Sequence, residues 1–188
     1  MKVKINNNDI YVPSDDSLLL FDTIKNYEGD SVLEIGCGEG MLLPYLQKKF
    51  KVIVGTDINL NVIRKIKTEM KGKDQNMFLL CCDAANGLNY KFDLIISNPP
   101  YLPNENEMKL NDISIYGGEL GIETTMHFIN SSISLLKPKG KIIIIVSNLS
   151  NLEFLFKYLR NLDLCKKILK SKKMFFETLY VLEINKNN

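Results

Sequence analysis

Residues 97–101 read Ser-Asn-Pro-Pro-Tyr and follow the apolar run 92–96, Phe-Asp-Leu-Ile-Ile. Two consecutive prolines end a strand, because neither donates a ladder hydrogen bond. Each also steers the residue before it away from helical geometry. The expected product is a stiff loop that presents the Asn98 amide oxygen and the Pro99 carbonyl as paired acceptors. Such a pair can hold a planar nitrogen group, an amide NH2 or an exocyclic base amine, by both hydrogens. Tyr101 would offer that group a flat face. Taken alone, the same residues make an ordinary proline turn.

Three further groups fall at comparable places upstream. The segment 31–40, Ser-Val-Leu-Glu-Ile-Gly-Cys-Gly-Glu-Gly, is a short apolar strand entering a glycine loop. Gly36, Gly38 and Gly40 permit a tight turn and close approach of a ligand. Amides at a following helix N-terminus would favour an anionic group. The dinucleotide fingerprint wants a glycine where this chain has Met41, so a carboxylate-bearing cofactor suits the loop better than a pyrophosphate. The next strand, 51–56, ends on Asp57, about twenty residues on, where nucleotide-binding sheets place an acid against ribose hydroxyls. A third, 77–82, ends on Asp83, and the fourth ends at Asn98. Either acid alone is a common helix cap. Four strand ends carrying chemistry-bearing residues point to one crevice along the carboxyl edge of an open parallel sheet.

The elements that must position these groups follow from periodicity. An amphipathic helix is expected at 16–26, then strand 31–36, helix 40–49, strand 51–56, helix 59–71 and strands 77–82 and 92–97. A long loop (98–117), a helix (119–136), a Lys-Pro-Lys-Gly turn and strand 141–147 come next. A helix at 150–161 and two consecutive strands, 164–171 and 174–184, close the chain. Two terminal strands in a row imply an antiparallel hairpin. The whole of 1–188 reads as one α/β domain, with 1–30 forming a segment and helix over the cofactor site.

In this order, Glu34-Ile-Gly-Cys-Gly, Asp57, Asp83 and Asn98-Pro-Pro-Tyr resemble a class I S-adenosylmethionine (SAM) methyltransferase of the amino-methylating group. The opening Tyr11-Val-Pro-Ser-Asp-Asp-Ser-Leu-Leu-Leu20 resembles the archaeal and eukaryotic HemK-like branch, as does Tyr116-Gly-Gly-Glu-Leu-Gly121. That branch commonly has Trp where this chain has Tyr116. The resemblance implies a Rossmann-like fold with a mostly parallel seven-stranded sheet, and SAM as cofactor. It implies methylation of the glutamine in the Gly-Gly-Gln loop of class I release factors. It also implies that Ser17, Glu34 and Gly36 meet the methionine part of SAM, Asp57 the ribose, and Asp83 with the Ala84 amide the adenine, with Gly38 a further cofactor-binding residue. Asn98, Pro99 and Tyr101 would form the catalytic loop, with Asn98 serving both sites.

The 188 residues carry 24 basic and 22 acidic side chains, a net charge of +2, with 45% apolar content. This balance lacks the basic footprint usual in nucleic-acid binders. No apolar run approaches the ~20 residues of a membrane helix, and no signal-like segment opens the chain, so a cytosolic or nucleocytoplasmic protein is expected. Four scattered cysteines (37, 81, 82, 165) make neither a metal nor a disulfide pattern. His127, the one histidine, falls in a segment of helical apolar spacing and reads as an exposed or satisfied helix residue. The lysines of 166–173 read as a solvated strand face. The apolar run 77–82, Met77 to Cys82, would lie at a sheet edge, and such edges are usually covered. A partner adding a strand there is expected, which the resemblance identifies as a small zinc-binding activator subunit. Burial of that run by the chain's own helices is the alternative. Adenine-N6 or guanine-N2 methylation of nucleic acid, protein lysine methylation and a non-catalytic SAM-binding scaffold stand as rival functions.

Overall fold

The computed structural model describes residues 15–72, 75–104 and 115–187. The first four residues of the Tyr11–Leu20 motif and the middle of the 98–117 loop lie outside them. Seven strands form one sheet: β1 (Gly29–Ile35), β2 (Phe50–Asp57), β3 (Met77–Cys81), β4 (Phe92–Ser97), β5 (Leu136–Ser147), β6 (Leu164–Lys173) and β7 (Thr178–Lys186). The order is β3-β2-β1-β4-β5-β7-β6. Strands β1 to β5 pair in parallel and β7 joins antiparallel to both β5 and β6. This is the expected Rossmann-like methyltransferase sheet with its terminal hairpin.

Residue parity decides which face each side chain joins. Val32, Leu94, Ile96, Ile143 and Ile145 pack with Leu20 and Ile24 of α1 (Asp15–Ile24), Leu43 and Leu46 of α2 (Leu43–Leu46), and Ile63 and Ile66 of α3 (Leu60–Glu69). Their neighbours Leu33, Ile35, Ile95, Ile142 and Ile144 pack with Ile129 of α4 (Glu123–Ser132) and Leu155 and Leu159 of α5 (Leu152–Asn161). Burial on both faces explains the unbroken apolar run 142–146. The outer strands differ. β3 is an edge with Phe78 55% exposed, and β6, the opposite edge, turns Lys166, Lys167 and Ile168 to solvent.

Several expected boundaries shift, among them the strand read from 174, which begins at Thr178 after a turn closed by Met174 N and Glu177 O. The helix read at 40–49 is a single α-turn, because bonds between residues three apart (Tyr45 N to Leu42 O, Lys48 N to Tyr45 O) interrupt the α ladder on both sides. The helix read from 119 starts at Glu123, since Gly118 and Gly121 adopt φ of +105° and +71°. Glu123 then reaches back, its carboxylate accepting from Leu120 N at 3.0 Å and Ile122 N at 3.1 Å. That helix also gives way after Ser132 to a 3-10 turn, Ile133–Leu135. The Lys-Pro-Lys-Gly turn proves to be an irregularity inside β5, where Lys139 takes a φ of +67° and the register with β4 shifts.

Candidate functional site

The strand order reverses between the parallel neighbours β1 and β4, the place where open α/β sheets bind ligands beyond their carboxyl ends. Register sets the site there: Ile35 pairs with both Thr56 and Ser97, and Asp57 with Cys81. Gly36 and Asn98, the residues after β1 and β4, therefore emerge level with Asp57, and Asp83 follows two residues past Cys81, the partner of Asp57. Ser97 Oγ donates to Ile35 O at 2.9 Å and Cys37 N to Thr56 O at 2.9 Å, tying the three strand ends together.

A cavity of about 740 Å³ opens at this edge. It brings together Ser17, Glu34, Gly36, Gly38, Asp57, Asp83, Ala84 and Asn98, the eight residues expected to hold the cofactor. Of the expected catalytic loop, Asn98 faces this cavity while Pro99 and Tyr101 do not line it. Pro99 is buried, and Pro100 takes the lining position instead. Thr124, His127 and Phe128 of α4 form a wall that sequence reasoning missed. Their only signal was the position of His127 beside an apolar helical stripe.

Two polar atoms in the cavity are buried without a partner among the described residues: Glu34 Oε2 and Asn98 Oδ1. Unpaired buried acceptors are costly and call for a donor. Glu34 is 6% exposed, and burial, aided by the Asp57 charge, pushes its carboxyl up to about 8. Asp57 is held rigidly, accepting from Gly38 N at 3.0 Å and Asn59 N at 2.8 Å. Asn59, not Asp57, caps α3, through a bond from Asn61 N at 3.0 Å. Asp83 Oδ1 lies 2.7 Å from His127 Nε2, and Asn86 Nδ2 donates to Asp83 Oδ2 at 3.4 Å. Cys37 remains a thiol, since burial and then the charges of Glu34 and Asp57 raise its pKa well above the ordinary range. These acceptors suit a ligand that donates a cationic amine to Glu34 and vicinal hydroxyls to Asp57, with a planar base near Asp83 and Ala84. SAM has those three parts.

Beside the cavity, Asn98 Nδ2 lies 3.5 Å from Ser17 Oγ and Tyr101 OH lies 3.4 Å from Asp16 Oδ2. Burial first, then Asp16 and Glu177, holds the Tyr101 phenol well above its ordinary pKa, so it stays protonated. The Gly117–Gly121 stretch braces this loop. Gly117 N donates to Leu102 O at 2.9 Å, and Leu102 N to Ile115 O at 3.2 Å. Contact is close enough that a Cβ on Gly117 would sit 2.5 Å from Pro100 O.

Residues 14–174 match the family model described as the methyltransferase small domain. A protein of Methanocaldococcus jannaschii, provisionally named a protein N5-glutamine methyltransferase, is 32% identical over 93% of this chain and 90% of its own. Methyltransferase HEMK2 of Mus musculus is 25% identical over 95% of this chain and 91% of its own. The release factor glutamine methyltransferase of Streptococcus pneumoniae is 26% identical, and the match spans half of that longer protein. Among solved structures, the E. cuniculi Mtq2–Trm112 complex, responsible for methylation of the eRF1 termination factor, superposes with a TM-score of 0.74 at 24% identity. That match covers 94% of this chain and 98% of its counterpart. With the family model spanning most of its length and a full-length relative 32% identical to it, the chain belongs to the methyltransferase small-domain family, in its HemK-like branch.

Proposed function

We propose that this chain uses SAM to methylate the side-chain amide of the glutamine in the Gly-Gly-Gln loop of a class I release factor. The observation that carries the reading is the buried Asn98 Oδ1 at the cavity edge, an acceptor with no partner among the described residues and open to a ligand N–H. Glu34 would take the cofactor's amine, Asp57 its ribose hydroxyls, and Asp83 with the Ala84 amide its adenine. Bound SAM supplies an activated methyl on a sulfonium centre, so the protein's task is positioning and electrostatics.

An amide nitrogen is a poor nucleophile because its lone pair is shared with the carbonyl. Asn98 Oδ1 accepting one amide hydrogen, and the Pro99 carbonyl the other, draws electron density onto nitrogen and fixes its direction. Tyr101, held as a phenol, cannot serve as the base, and His127 is engaged at Asp83. The amide proton grows acidic as the N–C bond forms and can leave to water. Names of the archaeal and bacterial relatives agree with a glutamine acceptor.

The edge strand β3 carries the partner part of the reading. Phe78 is 55% exposed on a strand that the sheet pairs on one side alone, which fits addition of a strand from a small zinc-binding activator subunit. The Mtq2 neighbour is itself a complex with Trm112.

The test is transfer of labelled methyl from SAM to purified release factor, with and without a candidate activator. Label in the intact factor, absent from a Gln→Ala loop version and absent with Asn98→Ala enzyme, supports the reading. Label in RNA, DNA or a lysine side chain, and none in the factor, replaces the substrate.

A further inference from the structure

The turn joining β6 to β7 holds Phe175 and Phe176, 91% and 84% exposed, the two most exposed large apolar side chains among the described residues. Their rings meet edge-on with centroids 4.6 Å apart. Exposed apolar pairs of this kind mark interaction sites. The turn is anchored where the acceptor must enter. Met174 N donates to Glu177 O at 2.7 Å, closing the turn, and Met174 packs against the same core group as Tyr101. Ser147 Oγ, at the carboxyl end of β5, donates to Glu177 Oε2 at 2.7 Å. At the penultimate position of β6, Lys172 pairs with Asp15 at 2.6 Å, and the adjoining Asp16 faces Tyr101 OH. Ser150 Oγ donates to Tyr101 O at 2.7 Å from the same side. The hairpin tip, the start of α1 and the Asn98–Tyr101 loop thus form one continuous rim.

We propose that Phe175 and Phe176 are a docking anchor for the acceptor protein, inserting into an apolar depression on its surface beside the target side chain. This rests on the proposed glutamine acceptor. Three features select a protein surface. The pair is continuous with the acceptor entrance. Aromatic side chains dominate protein–protein anchors. Of the charges nearby, Lys170 and Lys172 pair with Asp22 and Asp15, and the exposed Lys173 is balanced by Glu177 across the turn, leaving little net charge to draw the tip to an anionic lipid surface. A short peptide around the glutamine has no folded surface to offer the tip, whereas the intact factor does.

The experiment compares wild type, Phe175→Ser/Phe176→Ser and Phe175→Leu/Phe176→Leu on intact release factor and on a short Gly-Gly-Gln peptide, with the activator chain present for all. The Ser variant should raise KM for the intact factor at least tenfold and leave kcat, peptide kinetics and melting temperature unchanged. The Leu variant should recover most of the loss. Equal KM on the intact factor, or an equal loss on the peptide, overturns the docking role. So does an unchanged KM with loss of self-association in sedimentation, or of binding to phosphatidylserine vesicles, which would assign the pair to a second copy or to a membrane. If wild type labels the factor but the Ser variant matches it, only the docking role falls. If wild type labels neither substrate, the glutamine reading falls and takes the docking role with it.

Discussion

A Cβ built on Gly121 would lie 2.5 Å from the carbonyl oxygen of Tyr101 and 3.0 Å from the nitrogen of Pro103. No side chain fits there, so the segment ahead of α4 and the Asn98–Tyr101 loop are packed backbone to backbone. The φ of +71° at Gly121 adds a conformational requirement of its own. Gly121→Ala must therefore push the loop, at a cost of about 1–2 kcal/mol in left-handed backbone strain before any contact is counted. Expected is a loss of at least tenfold in kcat/KM for the methyl acceptor. Affinity for SAM should fall less than acceptor kcat/KM, because Glu34 and Asp57 stand on β1 and β2, away from Gly121, and only Asn98 and the α4 wall of the cavity adjoin it. Parallel titration and rate measurements on one purified variant decide it, and equal losses in both would show that the loop and the cofactor cavity are not separable.

Glu34 makes the second prediction. Its carboxyl, ordinarily near 4.5, is raised to about 8 by burial and by Asp57. A raised carboxyl pKa means that the folded protein holds a proton which the unfolded chain releases. Stability of the ligand-free protein should then fall as pH rises from about 4.5 to about 8 and level off above, by an amount on the order of 3–5 kcal/mol. A cationic amine seated at Oε2 needs the carboxylate instead. SAM affinity should climb with pH through the same window, with proton release that calorimetry in buffers of different ionisation enthalpy can count. Glu34→Gln should flatten both trends and weaken binding. A wild-type affinity that is level from pH 6.5 to 9 would remove Glu34 from the amine site.

Much of this arrangement can be read in the chain itself. Glu34, Asp57, Asp83 and Asn98 are legible because strands alternate their faces and end abruptly at glycine, acid or proline, so position along the chain converts directly into position along one sheet edge. The wall supplied by α4 is not. Which of its residues face the cavity depends on where the helix starts, and Gly118, Gly121 and the Glu123 carboxylate set that start four residues later than periodicity implies. The apolar positions Ile122 and Ile129 are buried as the stripe requires, yet His127 and Phe128 beside them turn toward the cavity. Pro99 and Pro100 present a similar limit. Both are rigid, and only the course of the loop after Asn98 decides that Pro100 is the one lining the cavity.

His127 and Asp83 make the last prediction. The 2.7 Å contact between Nε2 and Oδ1 joins α4 to the loop after β3 across the end of the cavity proposed for adenine, and Asn86 supports the other carboxylate oxygen only at 3.4 Å. His127 is therefore the main restraint on the direction of Asp83, and it acts through that carboxylate instead of touching the transferred methyl. Losing one such bond is worth about 0.5–1.5 kcal/mol, or a few-fold to tenfold in an equilibrium constant. His127→Ala should weaken SAM by that factor and leave kcat at saturating SAM nearly unchanged. His127→Gln, which keeps an amide donor on a side chain of similar reach, should restore most of the affinity. An Asp83→Asn/His127→Ala double variant should lose less than the sum of the two single losses, since both act on one contact. Strictly additive losses, or a fall in kcat with SAM affinity intact, would show that His127 works at the acceptor instead.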